Sequence, residues 1–156
     1  MARSPANTTR VDAGDHLARY VSRKRLEVCP DTDVVLGVLM EGFKLRVDQD
    51  EKELSVNHLQ YFSGDTAMQL KALKADRLAD GFKLGGVSVF AVIAAGVFTD
   101  RGRAAGLSIA SYKAPIRPGN MSHVEVRGMP HDNSNTELLE GLAQEANKNF
   151  VESKDI

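Results

Sequence analysis

Between Leu84 and Phe98 the chain runs fifteen residues without a charge, LGGVSVFAVIAAGVF. A stretch this apolar must leave water, and few folds can hide it. It is shorter than the roughly 20 residues a membrane helix needs. Phe82-Lys83 and Asp100-Arg101 bound it with charge. Two destinations remain, a central strand or a buried helix, and the Val- and Ile-rich segment around Val87–Ile93 favours a strand, bulged near Gly96. A membrane partner is not expected.

The 156 residues suit a single domain, expected at 12–156 behind a flexible basic arm at 1–11. With 42% hydrophobic and 26% charged residues the composition is that of a soluble globular chain, and without Trp its core must be built mainly from Val, Leu and Ala. The net charge of −1 gives no overall field for nucleic acid, so a nucleic-acid partner is not expected either. The charge is unevenly spread. Residues 1–25 hold six Arg/Lys against two Asp, and residues 132–156 hold six acids against two Lys. Cys29 is the only cysteine, which excludes an intrachain disulfide and a Cys-based zinc site and fits a cytoplasmic setting.

Periodicity predicts helices first. Asp12 or Asp15 can cap one that carries Leu17, Tyr20, Val21 and Val28 on one side and ends in Arg23-Lys24-Arg25 before Pro30. Asp31–Val47 reads as a helix, with a hairpin turning at Glu41-Gly42 as the alternative. Leu54, His58, Leu59 and Phe62 share helical spacing, and Asp65 caps a further helix that closes at Gly81. Beyond Gly81 the texture alternates. GGVSVFAVIAAGVFT, LSIASYKAP and MSHVEVRGM read as a three-stranded antiparallel meander, joined by DRGRAAG and by a Pro118-Gly119 turn. Ser134 and Glu137 form a capping box before a helix with Leu138, Leu142, Ala146 and Phe150 in one stripe. The expected fold is α+β, with the N-terminal helices on one face of the meander and a C-terminal helix closing it.

In the strand around SHVEVRG, Val124 and Val126 take one face and His123, Glu125 and Arg127 the other. Depending on register, Ser111 and Lys113 join them. His123 and Glu125, with His131 returning from the loop beyond Gly128-Met129-Pro130, are the candidate metal ligands or acid–base groups. The preferred reading of that face is nevertheless a solvated one, with Glu125 flanked by cationic groups. Arg101 and Arg103, flanking a glycine on an expected hairpin loop, are candidate anion ligands. Cys29 is expected to be a half-buried structural thiol, and His16 and His58 structural histidines. No nucleotide-binding loop, serine elbow or HExxH spacing is present, and no cofactor is expected.

Two functions follow. One is a non-enzymatic binding or assembly protein acting through a protein partner or self-association. The other is a small enzyme or small-molecule-binding domain, metal-dependent in one version, whose site is His123, Glu125 and His131.

Overall fold

The computed structural model describes the backbone at Ala2–Arg3 and all of residues 8–156. Its strands are β1 (Ala2–Arg3), β2 (His16–Ser22), β3 (Leu26–Val28), β4 (Val35–Val38), β5 (Leu54–His58), β6 (Ser88–Ala94), β7 (Ala110–Lys113), β8 (Ile116–Arg117), β9 (His123–Arg127) and β10 (Phe150–Glu152). The α-helices are α1 (Thr66–Ala79), α2 (Ala95–Ala104) and α3 (Thr136–Ala146). Six strands build one sheet in the order β10-β6-β2-β5-β9-β7, with every neighbouring pair antiparallel. The α+β class with an antiparallel sheet therefore holds. No helix among the described residues is long and apolar enough to cross a membrane.

The apolar run divides. Ser88–Ala94 is a central strand buried on both faces, as expected, and at Ala95 the chain turns directly into α2. No side chain among the described residues caps that helix. Its first N–H groups are met by backbone instead, Ala95 N donating to Asp15 O at 2.8 Å and Gly96 N to Ala13 O at 2.9 Å.

Each face of the sheet has its own cover. Leu17, Val21, Val56, Ala91, Ile93, Val124 and Val126 meet Phe98 of α2 and Leu138, Leu142 and Ala146 of α3 in the larger core. On the opposite face Ala18, Phe90 and Val92 pack against Leu70 and Leu73 of α1. Helices thus lie on both sides of the sheet, not on one face as expected. The expected meander is also corrected, because β6 lies at the far side of the sheet from β7, with β2, β5 and β9 between them.

The first expected helix is strand β2. A strand buried on both faces loses its two-residue alternation, and Leu17, Tyr20 and Val21 then imitate helical spacing. The second expected helix is β4 followed by a short 3-10 turn at Met40–Phe43, with β4 paired to β3. The third is β5, whose Leu54, Val56 and His58 are buried in alternation with Ser55 and Asn57. DRGRAAG is not a hairpin loop, since Arg101 and Arg103 lie in the last turns of α2.

Helix α1 forms where expected, and Asp65 Oδ1 accepts from Met68 N at 2.9 Å. The stripe of α3 is buried at Leu138, Leu142 and Ala146, although Phe150 belongs to β10. Asn135 caps α3 in place of Ser134, its Oδ1 accepting from Leu138 N at 3.0 Å. After β9 the chain reverses at Gly128, where φ is +100° and an added Cβ would collide with the Ser108 carbonyl, so glycine is required there.

Part of the expected arm is tied down. Strand β1 pairs with β8, Lys113 N donates to Thr9 O at 2.8 Å, and Val11 N donates to Ser111 O at 3.0 Å, which covers the outer edge of β7. Met1 and residues 4–7 of that arm lie outside the described residues.

Candidate functional site

Helix α1 covers only the β10-β6-β2 half of its face. On the other half, Ser55 and Asn57 of β5 and His123, Glu125 and Arg127 of β9 share one side, with Tyr112 of β7 opposite Glu125. The register puts Tyr112, not Ser111 or Lys113, beside Glu125. Two adjoining cavities, of about 470 and 380 Å³, lie over these residues and share Arg46, Gln49, Ser55, Ile116 and His123 as lining.

The opening exists because the sheet is split. The β2–β5 ladder has only two residue pairs, Leu17↔His58 and Ala18↔Asn57. Where it stops, the Arg19 guanidinium fills the gap. Its Nε donates to Gly42 O at 3.0 Å, and Nη1 donates to Glu51 Oε2 at 2.8 Å and Ser55 O at 2.9 Å. Nη2 donates to Lys44 O at 3.1 Å and Glu51 Oε1 at 3.3 Å. All five donors of a guanidinium are used. Glu51 also accepts from Arg46 N, Arg46 Nη2 and Ser55 N. Arg19 is 2% exposed. Burial and then the charge of Arg46 lower its guanidinium to about 10, with Glu51 opposing them. Burial would raise the Glu51 carboxyl, but the charges and hydrogen bonds of Arg19 and then Arg46 outweigh it and hold it at about 2. The clamp fixes the segment from Gly42 to Glu51, with Phe43 and Leu45 in the core and Arg46 and Gln49 facing the cavities.

His123 is 4% exposed and Glu125 5%, so the expected solvated strand face is corrected: both side chains are buried at the cavity wall. His123 Nδ1 lies 2.8 Å from Ala114 O. A carbonyl only accepts, so Nδ1 carries a proton, and in the neutral ring Nε2 is the acceptor. Nε2 lies 3.2 Å from Ser55 Oγ. Glu125 Oε1 accepts from Arg127 Nε at 3.2 Å and Nη2 at 3.1 Å, and Arg127 stacks on the Tyr112 ring at 4.4 Å. Asn57 Nδ2 donates to Asn120 Oδ1 at 2.9 Å and to Ser122 Oγ at 2.8 Å.

His131 has a different setting. Its side chain is 72% exposed, and Nε2 is 3.9 Å from Glu53 Oε1. Glu53 lines the same cavity as His123 and Glu125. Burial pushes the Glu53 carboxyl above its ordinary value, His131 opposes that, and Glu125 adds to it. Among the described residues, no group of three or more His, Cys, Asp and Glu is placed to hold a metal.

The expected anion pair is divided. Arg101 Nη2 donates to Glu145 Oε1 at 2.8 Å, and Arg103 Nη1 donates to the exposed Asp100 at 3.4 Å. Cys29 is half-buried in the loop between β3 and β4, and hydrogen bonds from Thr32 and the Asp31 and Thr32 backbone lower its thiol. His58 Nε2 lies 2.7 Å from Asp15 Oδ2 on the core side of the sheet. The residues unforeseen in the sequence are Arg19, Arg46, Glu51, Glu53, Ser55 and Asn57. The alternation of Leu54, Val56 and His58 was the available signal for Ser55 and Asn57.

Comparison with family models, curated proteins and solved structures returns no match.

The two histidines should separate in urea unfolding. His123→Leu deprives the buried Ala114 carbonyl and Ser55 hydroxyl of a partner and should cost about 1–3 kcal/mol. His131→Ala should stay within about 0.5 kcal/mol of the parent. Equal effects would show that the assignment of a buried and an exposed histidine is wrong.

Proposed function

We propose that the polar half-face of the sheet binds a small polar molecule and that His123 handles a proton there. One observation carries this reading: a buried imidazole with Nδ1 held by a backbone carbonyl and Nε2 directed at a serine hydroxyl, on the wall of a cavity. In that tautomer Nε2 can take a proton from Ser55 Oγ, or from a hydroxyl or water bound beside it. Glu53, with its raised carboxyl, supplies a second proton-exchanging group at the same cavity. Glu125 and Arg127 set the charge at that end. His131 acts from the rim through Glu53. Arg101 and Arg103 are not part of the site.

A ligand-observed NMR screen of small polar compounds tests this. Hits should shift the amide signals of Leu54–His58 and His123–Arg127, and His123→Gln or Ser55→Ala should weaken them about tenfold, the scale of one lost hydrogen bond to a polar ligand. Hits that map elsewhere, or that ignore both substitutions, would contradict the reading.

A second reading, assembly with a protein partner or another copy, draws support from the β3–β4 hairpin. Leu36 is 59% exposed, Val34 44% and Leu39 37%. It predicts a solution mass above that of one chain, or a partner recovered by pulldown, lost in Leu36→Asp. An inert monomer without a partner would refute it. We also infer a cytoplasmic setting from the single thiol.

A further inference from the structure

We propose that the basic end of this groove receives the phosphate group of a small phosphorylated molecule, an inference that rests on the reading of the groove as a ligand site. A third cavity, of about 490 Å³, shares Tyr20, Arg46, Gln49 and Phe82 with the cavity that His123 lines. Lys24, Arg25, Arg46 and Lys83 line it, and among the described residues no Asp or Glu does. Four cations around one concave space make a local field that the overall charge of −1 conceals.

The hydrogen bonding of these residues points the same way. Arg19 has all five donors satisfied, whereas among the described residues the Arg46 guanidinium gives one hydrogen bond, from Nη2 to Glu51. Its buried Nε has no partner among the described residues. Arg25 donates through Nη1 to two backbone carbonyls, Glu41 O at 2.7 Å and Lys44 O at 3.1 Å, which satisfy donors without neutralising the charge. Burial and then the charge of Arg46 lower the Arg25 guanidinium, and Glu51, Asp48 and Glu41 oppose this.

An anion entering the cavity relieves that crowding and offers acceptors to the underused guanidinium. Phosphate fits better than carboxylate, because it brings up to two charges and more acceptor oxygens to four cations. The edge-to-face rings of Tyr20 and Phe82, 5.1 Å apart, stand where the two cavities meet. They form an apolar wall between the phosphate and the part of the molecule that reaches His123. Gly85 lines the cavity without a side chain, and a Cβ there would come only into ordinary contact with the Tyr20 hydroxyl, at 3.5 Å.

Isothermal titration of the full chain with pyrophosphate, at physiological ionic strength, tests the assignment. Saturable 1:1 binding is expected. Lys24→Ala with Lys83→Ala, two exposed positions whose loss spares the fold, should weaken it at least about tenfold, as should Arg46→Gln. No saturable binding, or binding that ignores the paired lysine substitutions, overturns the proposal. So does tighter binding of single-stranded RNA that depends on Arg23 outside the cavity. If pyrophosphate fails while uncharged compounds still perturb Ser55 and His123, the phosphate assignment falls and the ligand site stands. If those compounds fail as well, both fall.

Discussion

The buried pair of Arg19 and Glu51 governs the architecture around the groove. Removing two charges from water costs several kcal/mol for each ion, and that cost is recovered only when geometry and hydrogen bonding are complete. Here they are. Arg19 has five acceptors, three of them backbone carbonyls, and Glu51 receives two side-chain cations and two backbone N–H groups. The guanidinium occupies the place of a strand ladder, taking the Ser55 carbonyl where β2 no longer pairs with β5. The carbonyl and N–H of Ser55 are therefore both satisfied where the sheet separates.

The consequences reach the site through the pinned segment. Gly42 and Lys44 give their carbonyls to Arg19, which seats Phe43 and Leu45 in the core, and Arg46 follows on the other side. Ser55, one strand position from the buried Leu54 and Val56, then opens toward His123. The site is thus built from side chains on β5 and β9, with the clamped segment forming the wall. Rigid strands hold the His123–Ser55 pair, and the ring is fixed at both nitrogens, which favours a defined proton position.

The sequence made part of this legible. Helices α1 and α3 carry a capping residue ahead of a one-sided apolar stripe, and both signals are local. The alternation in HVEVR places His123 and Glu125 on one face of β9, where the register has them. Strand β2 was not legible, because burial on both faces erased its period, and Arg19 within it resembled one more surface cation. Strand β5 was legible in LSVNH, but Leu59 and Phe62 lie beyond it at helical spacing and masked the alternation. A helix over β5 would not place Ser55 and Asn57 beside His123, whereas the strand does. Long-range pairing, such as β6 beside β2 across more than 60 residues, has no local signature.

The acid dependence of stability tests the clamp most directly. The Glu51 carboxyl is held at about 2, against 4.5 for an ordinary glutamate, so its contribution is complete above pH 4.5 and is lost as the pH falls toward 2. Denaturant unfolding across that range should show the parent losing roughly 3 kcal/mol more than Glu51→Gln, which has no such carboxyl to protonate. At neutral pH Glu51→Gln, leaving Arg19 buried beside a neutral group, should be about 3–5 kcal/mol less stable than the parent. Matching acid profiles, with a difference below about 1 kcal/mol at neutral pH, would contradict the central role of the Arg19–Glu51 pair.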